Sequence, residues 1–300
     1  MIAILRKTAS DEAVGHLVSW IEGKGLQTDV SYGENEIVIG LVGDTTRIDP
    51  FLLESMDIVE RVQRVSEGDN LIAIARRVKA AGATMLRGGA FKPRTSPYAY
   101  QGMGAAGLDL LREASEELDM PIVTEVMDPR DVGLFVDKGI DVMQVGARNA
   151  QNFSLLKEVG KTQVPVLLKR GMSGTIDELL MAAEYIMSEG NPNVILCERG
   201  IRTFETSMRN TLDLAGVVML HKMTHLPVVV DPSHACGHAW MVPELAKAAV
   251  AAGADGLMIE VHNNPAKAKC DGAQSLTPDQ FDELMQFIGK EVEFFGKKMN

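Results

Sequence analysis

The chain of 300 residues is 46% hydrophobic and carries 41 acidic against 30 basic side chains, a formal net charge of −11. This content supports a buried core and excludes a disordered chain, and the acidic excess argues against general attraction to nucleic acid or membranes. The three cysteines have no disulfide-framework spacing. We find neither a signal-peptide core nor an apolar run near the roughly 20 residues that span a bilayer. We therefore expect a soluble cytoplasmic protein.

Residues 1 to 66 read as a small domain of four strands and two helices. Strand patterns occur at "IAILR", "TDVSY", "EIVIGLV" and "VERVQRVS". A helical pattern, "DEAVGHLVSWIEGKG", follows the first strand, and "DPFLLESM", with an Asp N-cap and Pro at its first position, follows the third. This order predicts a ferredoxin-like α+β domain. Such a domain is either regulatory or a packing and dimerisation module.

Residues 67 to 300 alternate apolar strands with helices, as parallel βα units do. The predicted strands are 84–89, 121–126, 142–146, 165–171, 194–200, 227–234 and 256–261. This α/β pattern predicts a (β/α)8 TIM barrel, but it is one strand short. The helix at 69–82 has no strand of its own, because the strand before it belongs to the small domain. Either one strand serves both domains or the barrel is incomplete.

Positive side chains follow several of these strands. They are Arg87, Lys92, Arg94, Arg148, Lys169, Arg170 and Arg199. The carboxyl ends of parallel strands share one rim, neighbouring glycines allow close backbone approach, and the arginine fork suits phosphate and carboxylate oxygens. We expect a small substrate that carries both groups. The alternative for each cation is a surface ion pair.

The last two strands deliver His234 and Glu260, and Asp271 follows shortly after. One imidazole and two carboxylates suit a divalent metal such as Mn, Fe, Co or Zn. Ordinary hydrogen-bonded polar residues are the alternative, but convergence on the cation-rich rim favours the metal.

Six segments carry a resemblance to a known family. They are "LRGGAFKPRTSPYAYQG", "QVGARNAQNF", "PVLLKRG", "ILCERGIRTFE", "VVVDPSHA" and "IEVH...CDGAQSL". Together they resemble the 3-deoxy-D-arabino-heptulosonate-7-phosphate (DAHP) synthases, and the type Iβ form with an N-terminal ferredoxin-like domain is the best match. The resemblance implies condensation of phosphoenolpyruvate with erythrose 4-phosphate, the first step toward chorismate and the aromatic amino acids.

The resemblance also implies roles for individual residues. Five cations would hold the phosphate and carboxylate of phosphoenolpyruvate: Arg87, Lys92, Arg148, Lys169 and Arg199. Arg94 and Thr95 would contact the sugar phosphate, and the metal would be held by His234, Glu260 and Asp271. Glu125 would orient the attacking water, with a structural salt bridge as its alternative, and would join Lys92 and Lys169 as a catalytic residue. An aromatic amino acid effector and a homo-oligomer, dimer or tetramer, are implied as well.

The chain departs from the family at one place. Members carry a first barrel strand that ends in a "GPCS"-like motif, whose cysteine is a metal ligand, and this chain runs from "VQRVS" directly into a helix. A catalytically impaired phosphoenolpyruvate-binding sensor is therefore an alternative function. A further alternative is the related 3-deoxy-D-manno-octulosonate-8-phosphate synthase, which typically has an "ANRSS"-like segment where this chain has "KPRTSP".

Overall fold

The computed structural model describes residues 1–32, 37–42, 45–63, 67–94 and 96–299. The chain divides into two compact units, Met1–Asn70 and Leu71–Asn300. Thr95, expected to contact the sugar phosphate, and the last three residues of the expected strand 59–66 lie outside the described residues. Among the helices that are described, none is both long and apolar enough to cross a membrane.

The first unit has the expected strand and helix order. Its elements are β1 (Ile2–Leu5), α1 (Asp11–Gly23), β2 (Gln27–Tyr32), β3 (Ile37–Val42), α2 (Pro50–Glu54) and β4 (Val59–Gln63). Ser10 and Asp49 cap the two helices through their side-chain oxygens. The antiparallel sheet has the order β2-β3-β1-β4, so the ferredoxin-like prediction is confirmed.

The second unit contains all seven predicted strands in one parallel sheet, paired in chain order. They are β5 (Leu86–Arg87), β6 (Ile122–Val126), β7 (Val142–Val145), β8 (Val166–Lys169), β9 (Val194–Glu198), β10 (Val228–Val230) and β11 (Gly256–Leu257). The helices are α3 (Glu67–Ala80), α4 (Ala105–Leu118), α5 (Val132–Asp137), α6 (Phe153–Gly160), α7 (Ile176–Met187), α8 (Leu214–Met223), α9 (Pro232–Cys236), α10 (Val242–Ala251) and α11 (Pro278–Phe294). The α/β barrel class is thereby confirmed.

The sheet is open between its two edge strands. Within the described ranges no ladder joins β5 to β11, and β4, in the other unit, is the last strand before α3. Both edge strands have two residues, whereas the sequence pattern predicted six for each. Among the described residues, each has a strand neighbour on one side only, and pairing therefore ends early. The expected absence of a first barrel strand is confirmed for this part of the chain.

Two apolar clusters cover the two faces of the parallel sheet. The larger one packs the helices onto one face and includes Ile122, Met143 and Leu168. The smaller one contains Val123, Val142, Leu167, Cys197 and Met258. Successive side chains of a strand point to opposite faces of the sheet. A residue two positions after a member of the smaller cluster therefore points to the same face as that member, nearer the carboxyl ends of the strands.

Candidate active site

A buried carboxylate after β10 holds two of the expected site residues together. Asp231 is fully buried, and its Oδ2 lies 2.7 Å from the Lys169 Nζ and 2.8 Å from the His234 Nδ1. Its Oδ1 accepts the His234 backbone N–H at 2.9 Å and so caps α9. Burial raises the pKa of Asp231, but the charges of His234 and Lys169 outweigh it and bring this pKa well below its usual value.

The imidazole of His234 is oriented for ligation. Its Nδ1 faces Asp231, and its Nε2 lies 3.5 Å from the Oε1 of Glu260. Burial is the largest influence on the pKa of His234 and lowers it, against the opposing charge of Asp231. A carboxylate behind one ring nitrogen and a free lone pair on the other is the usual arrangement of a metal-binding histidine.

Arg87, at the end of β5, joins the two edges of the open sheet through its side chain. Its Nη1 donates to Glu260 Oε1 at 2.5 Å, although Glu260 follows β11 at the opposite edge. Its Nε donates to Gln144 Oε1 at 2.8 Å, and Gln144 in turn donates to Glu125. Side-chain hydrogen bonds thus join β5 to the segment after β11, two edges between which the described residues form no backbone ladder.

Arg199 is a buried cation whose hydrogen bonds, among the described residues, all go to backbone carbonyls. Only 4% of the residue is exposed, and its guanidinium donates to the carbonyl oxygens of Gly200 and His234. In the part of the chain that the structure describes, no carboxylate lies within ion-pair distance of it. Burial lowers the pKa of Arg199. A buried guanidinium left in this way is costly unless a ligand supplies the negative charge.

The loop after β5 is closed at its base. Phe91 pairs with Gly102, and the Lys92 N–H donates to the Gln101 carbonyl. Gly102 has φ +96, and a Cβ there would lie 2.1 Å from the Ala90 oxygen, so this closure requires glycine. Lys92 is half-buried, and its Nζ packs against Gly89.

Arg94, in the same loop, donates through Nε to the Tyr100 carbonyl at 3.2 Å. The charges of His234, Lys92 and Arg94 reach Asp271 and help to lower its pKa against the opposing effect of burial, which is the larger single influence. The charges of Lys92 and Arg94 therefore act on one of the expected metal ligands, Asp271.

Two expected site residues, Arg148 and Asp271, make fewer contacts with the rest of the site. Arg148, after β7, is exposed. Asp271 has a left-handed backbone conformation, φ 57 and ψ 16, and lies 3.7 Å from the Arg209 Nη1. Aspartate is one of the few non-glycine residues that adopt this region readily.

The expected metal site offers one imidazole and two carboxylates, which suit a divalent ion. His234 and Glu260 lie next to each other in the structure. Asp271 does not complete the set, because no group of three His, Cys, Asp or Glu side chains among the described residues could hold a metal. Glu260 is instead engaged by Arg87. The structure thus supports a ligand pair rather than a closed three-residue centre.

One expectation is wrong. Arg170 was expected at the cation-rich rim, but it is buried on the helix-facing side, where its Nη1 contacts Glu198 at 2.9 Å and Asp213 at 2.8 Å. Its Nε donates to the Gly174 carbonyl. Neighbouring residues of a strand point to opposite faces, so Lys169 and Arg170 do not act at the same place.

Comparison with known proteins decides the family. Residues 63–294 match the model of the DAHP synthetase I family, and residues 1–67 match that of the DAHP synthase ferredoxin-like domain. The chain belongs to the DAHP synthetase I family. Among curated members, the phospho-2-dehydro-3-deoxyheptonate aldolase of Thermotoga maritima is 40% identical over 339 positions that cover all of both chains.

Solved structures of this family agree. The crystal structure of the Thermotoga maritima phospho-2-dehydro-3-deoxyheptonate aldolase (DAHP synthase) has a TM-score of 0.76 at 39% identity, covering 100% of this chain and 99% of that one. A truncated form of 3-deoxy-D-arabino-heptulosonate 7-phosphate synthase from the same organism has a TM-score of 0.73 at 45% identity, covering 79% and 86%.

A second group of relatives is more distant. The 2-dehydro-3-deoxyphosphooctonate aldolase of Desulfosudis oleivorans is 30% identical over 64% of this chain and 72% of its own length. The family resemblance to the heptonate enzymes is therefore both stronger and longer. The 339-position alignment with the Thermotoga maritima protein exceeds the 300 residues of this chain, so at least 39 positions are gaps in this chain.

Proposed function

We propose that this chain condenses phosphoenolpyruvate with D-erythrose 4-phosphate to give DAHP and phosphate. The observation that carries the proposal is the buried guanidinium of Arg199, which among the described residues has no carboxylate within ion-pair distance, on the rim of a DAHP synthetase I family barrel. An anionic substrate would supply the negative charge that balances the buried guanidinium. Full-length similarity to a heptonate aldolase supports the four-carbon sugar over the octulosonate alternative.

We propose that the cations divide between the two substrates. One group holds the phosphate and carboxylate of phosphoenolpyruvate: Arg87, Lys92, Arg148, Lys169 and Arg199. Arg94 and Thr95 hold the sugar phosphate. Two anions repel one another, and a fixed field of positive charge offsets that repulsion while it aligns the reacting carbons.

The chemistry forms one carbon–carbon bond and replaces the C2–O bond to phosphate by a C2–O bond from water. C3 of phosphoenolpyruvate attacks the aldehyde carbon, water adds at the resulting cationic C2, and phosphate leaves by C–O cleavage as C2 becomes a ketone. One proton of the water ends on the former aldehyde oxygen and the other on the departing phosphate. We propose that Glu125 orients this water. One oxygen of Glu125, Oε1, is buried and has no partner among the described residues, which leaves it free for such a contact.

A divalent metal belongs to this proposal. His234 and Glu260 would hold it, and it would polarise the sugar aldehyde as a Lewis acid. Asp271, which the structure does not bring into this pair, would become the third ligand only on metal binding. Equilibrium dialysis with Mn²⁺ tests the ligand set without turnover. We expect His234→Ala to abolish binding, whereas His238→Ala, a change two residues beyond α9, leaves it intact. Equal Mn²⁺ binding by both variants would contradict the ligand assignment.

The decisive test of the reaction uses the full chain with both substrates and added Mn²⁺. We expect release of one phosphate for each seven-carbon product, detected by mass spectrometry. Arabinose 5-phosphate in place of the four-carbon sugar should give little product. Saturable phosphoenolpyruvate binding without any phosphate release would sink the proposal in favour of a non-catalytic sensor.

Arg199→Met tests whether the buried guanidinium of Arg199 binds phosphoenolpyruvate. We expect the KM for phosphoenolpyruvate to rise about 10- to 100-fold, because a hydrogen-bonded charge contact is lost. Arg112→Met, which removes the same charge from α4, is the matched control and should change neither KM. An unchanged KM in both variants would place the substrate elsewhere.

We also propose that residues 1–66 form a regulatory domain and residues 67–300 the catalytic domain. Tyrosine or phenylalanine should inhibit the full chain, and sedimentation should show a dimer or tetramer. A cytoplasmic location is consistent with three free thiols, Cys197, Cys236 and Cys270. Insensitivity to both amino acids would refute the proposed effector.

A further inference from the structure

Gln144 is a polar residue inside an apolar strand. It lies in β7, between Met143 and Val145, and it is fully buried. Its side chain emerges on the same face of the sheet as Val142, toward the rim. A buried amide must find partners for its hydrogen-bonding groups, and the partners of Gln144 are both charged.

The two partners fix the amide in one orientation. Nε2 donates to the Oε2 of Glu125 at 2.9 Å, and Oε1 accepts from the Nε of Arg87 at 2.8 Å. An ionised carboxylate only accepts hydrogen bonds and a guanidinium only donates them. The reversed amide would place two donors together and two acceptors together. Glu125 thus determines which end of Gln144 faces Arg87.

This contact determines the direction of the Arg87 guanidinium. The group is planar, so a hydrogen bond at Nε fixes the plane in which both Nη atoms lie. Nη1 reaches Glu260, and within the described residues Nη2 has no hydrogen-bond partner. One edge of the guanidinium is therefore held while a donor remains for an anion.

The same contact determines which oxygen of Glu125 stays free. Gln144 occupies Oε2, and Oε1 is buried without a partner among the described residues. Oε1 packs so closely on Gly146 that a Cβ there would lie 2.0 Å away. Gln144 thus links the proposed water-orienting carboxylate to the proposed substrate cation.

We propose that Gln144 is a positioning residue for phosphoenolpyruvate, acting through Arg87. It holds the guanidinium in the orientation that receives the substrate's anionic group. The inference rests on the proposed function, since it takes phosphoenolpyruvate as the anion at Arg87.

Gln144→Met tests the inference, because methionine keeps the length of the side chain and removes both hydrogen bonds. We expect phosphoenolpyruvate affinity, measured by calorimetry on the full chain, to fall about 10- to 100-fold. The KM for erythrose 4-phosphate should not change. Met143→Leu is the matched control, a volume-conserving change at a fully buried position on the opposite face of β7, and should bind as the wild type does.

A double-mutant cycle with Arg87→Lys separates positioning from packing. Lysine keeps the positive charge and lacks the Nε donor that Gln144 holds. If Gln144 acts through Arg87, adding Gln144→Met to Arg87→Lys weakens binding no further. A further loss of the same size in the lysine background would overturn the inference. So would wild-type affinity in Gln144→Met, or an equal loss in Met143→Leu.

The failure of the inference differs from that of the proposed function. A wild-type chain that binds phosphoenolpyruvate but releases no phosphate contradicts the reaction and leaves the cycle measurable. A wild-type chain that does not bind phosphoenolpyruvate overturns both. Normal turnover with no effect of Gln144→Met overturns the inference alone.

Discussion

Lys169 and Arg170 are adjacent in sequence, yet they belong to two different kinds of buried charge cluster. Arg170 is held by Glu198, Asp213 and a backbone carbonyl, and Glu198 also accepts the Gly200 N–H. Lys169, on the other face, donates to Asp231 alone among the described residues.

The difference separates a structural charge from a binding charge. The Arg170 cluster, defined by Arg170, Glu198 and Asp213, satisfies its cation within the protein. On the opposite face of the sheet, Lys169 shares Asp231 with His234. Among the described residues, Arg199 has no carboxylate within ion-pair distance. Buried charge that the protein leaves incompletely satisfied is where a charged ligand stabilises the structure most.

Lys169→Met should produce the largest effect on function. We expect kcat/KM for phosphoenolpyruvate to fall about 10²- to 10³-fold, because a preorganised positive charge is removed from a low-dielectric site. Steady-state kinetics measure the fall, and circular dichroism checks the fold. Retention of full activity would show that the cluster of Lys169, Asp231 and His234 is structural as well.

Arg170→Met should act on stability instead. Removing the cation leaves the buried Glu198 and the partly exposed Asp213 without their ion-pair partner, and we expect a loss of about 3–5 kcal/mol in the free energy of unfolding. Denaturant titration measures the loss, and the folded fraction should still bind phosphoenolpyruvate. Arg130→Met, which breaks an exposed ion pair with Asp128, is the control and should unfold as the wild type does. If Arg170→Met lost phosphoenolpyruvate binding at unchanged stability, Arg170 would be a binding charge and not a structural one.

Cys197 belongs to the smaller apolar cluster of the sheet. The reactivity and pKa of its thiol test, with a smaller expected effect, whether solvent reaches that face of the open sheet. Burial raises the pKa of Cys197 to about 12 from 9.0, and Lys169 and Asp231 are near it. The thiol therefore stays protonated in the folded chain while the unfolded chain ionises. Its contribution to stability is complete below pH 9 and is lost as the pH rises toward 12.

A thiol-reactive disulfide reagent at neutral pH measures this protection. We expect Cys270, which is half-exposed, to react first, and Cys197 and Cys236, which are buried, to react only after unfolding. Cys270→Ser should remove the fast phase. A fast phase that persists in that variant would mean that solvent reaches the interior through the gap between β5 and β11.

The fold could be predicted from sequence to a large extent. Apolar runs bounded by glycine gave the seven parallel strands, and strand ends brought His234 close to Glu260. The lengths of β5 and β11 were overestimated, because composition does not reveal how many neighbours a strand has. A strand is only as long as its hydrogen-bonding partners allow.

The site residues that were missed are those that act through others. Asp231 and Gln144 were read as parts of strands, and their roles depend on contacts 62 and 57 residues away in sequence. One local signal existed for Asp231, a carboxylate three positions before His234 at a helix start. Strand alternation also separates Arg170 from Lys169, provided that the strand register is known.

The two-residue edges of the parallel sheet have a consequence for solubility. An unpaired strand exposes a row of N–H and C=O groups on which strands of other chains can add, and long flat edges promote aggregation. Here β5 and β11 each present only two residues, and charged Arg87 stands in one of them. An incomplete barrel of this form therefore offers little template for intermolecular pairing.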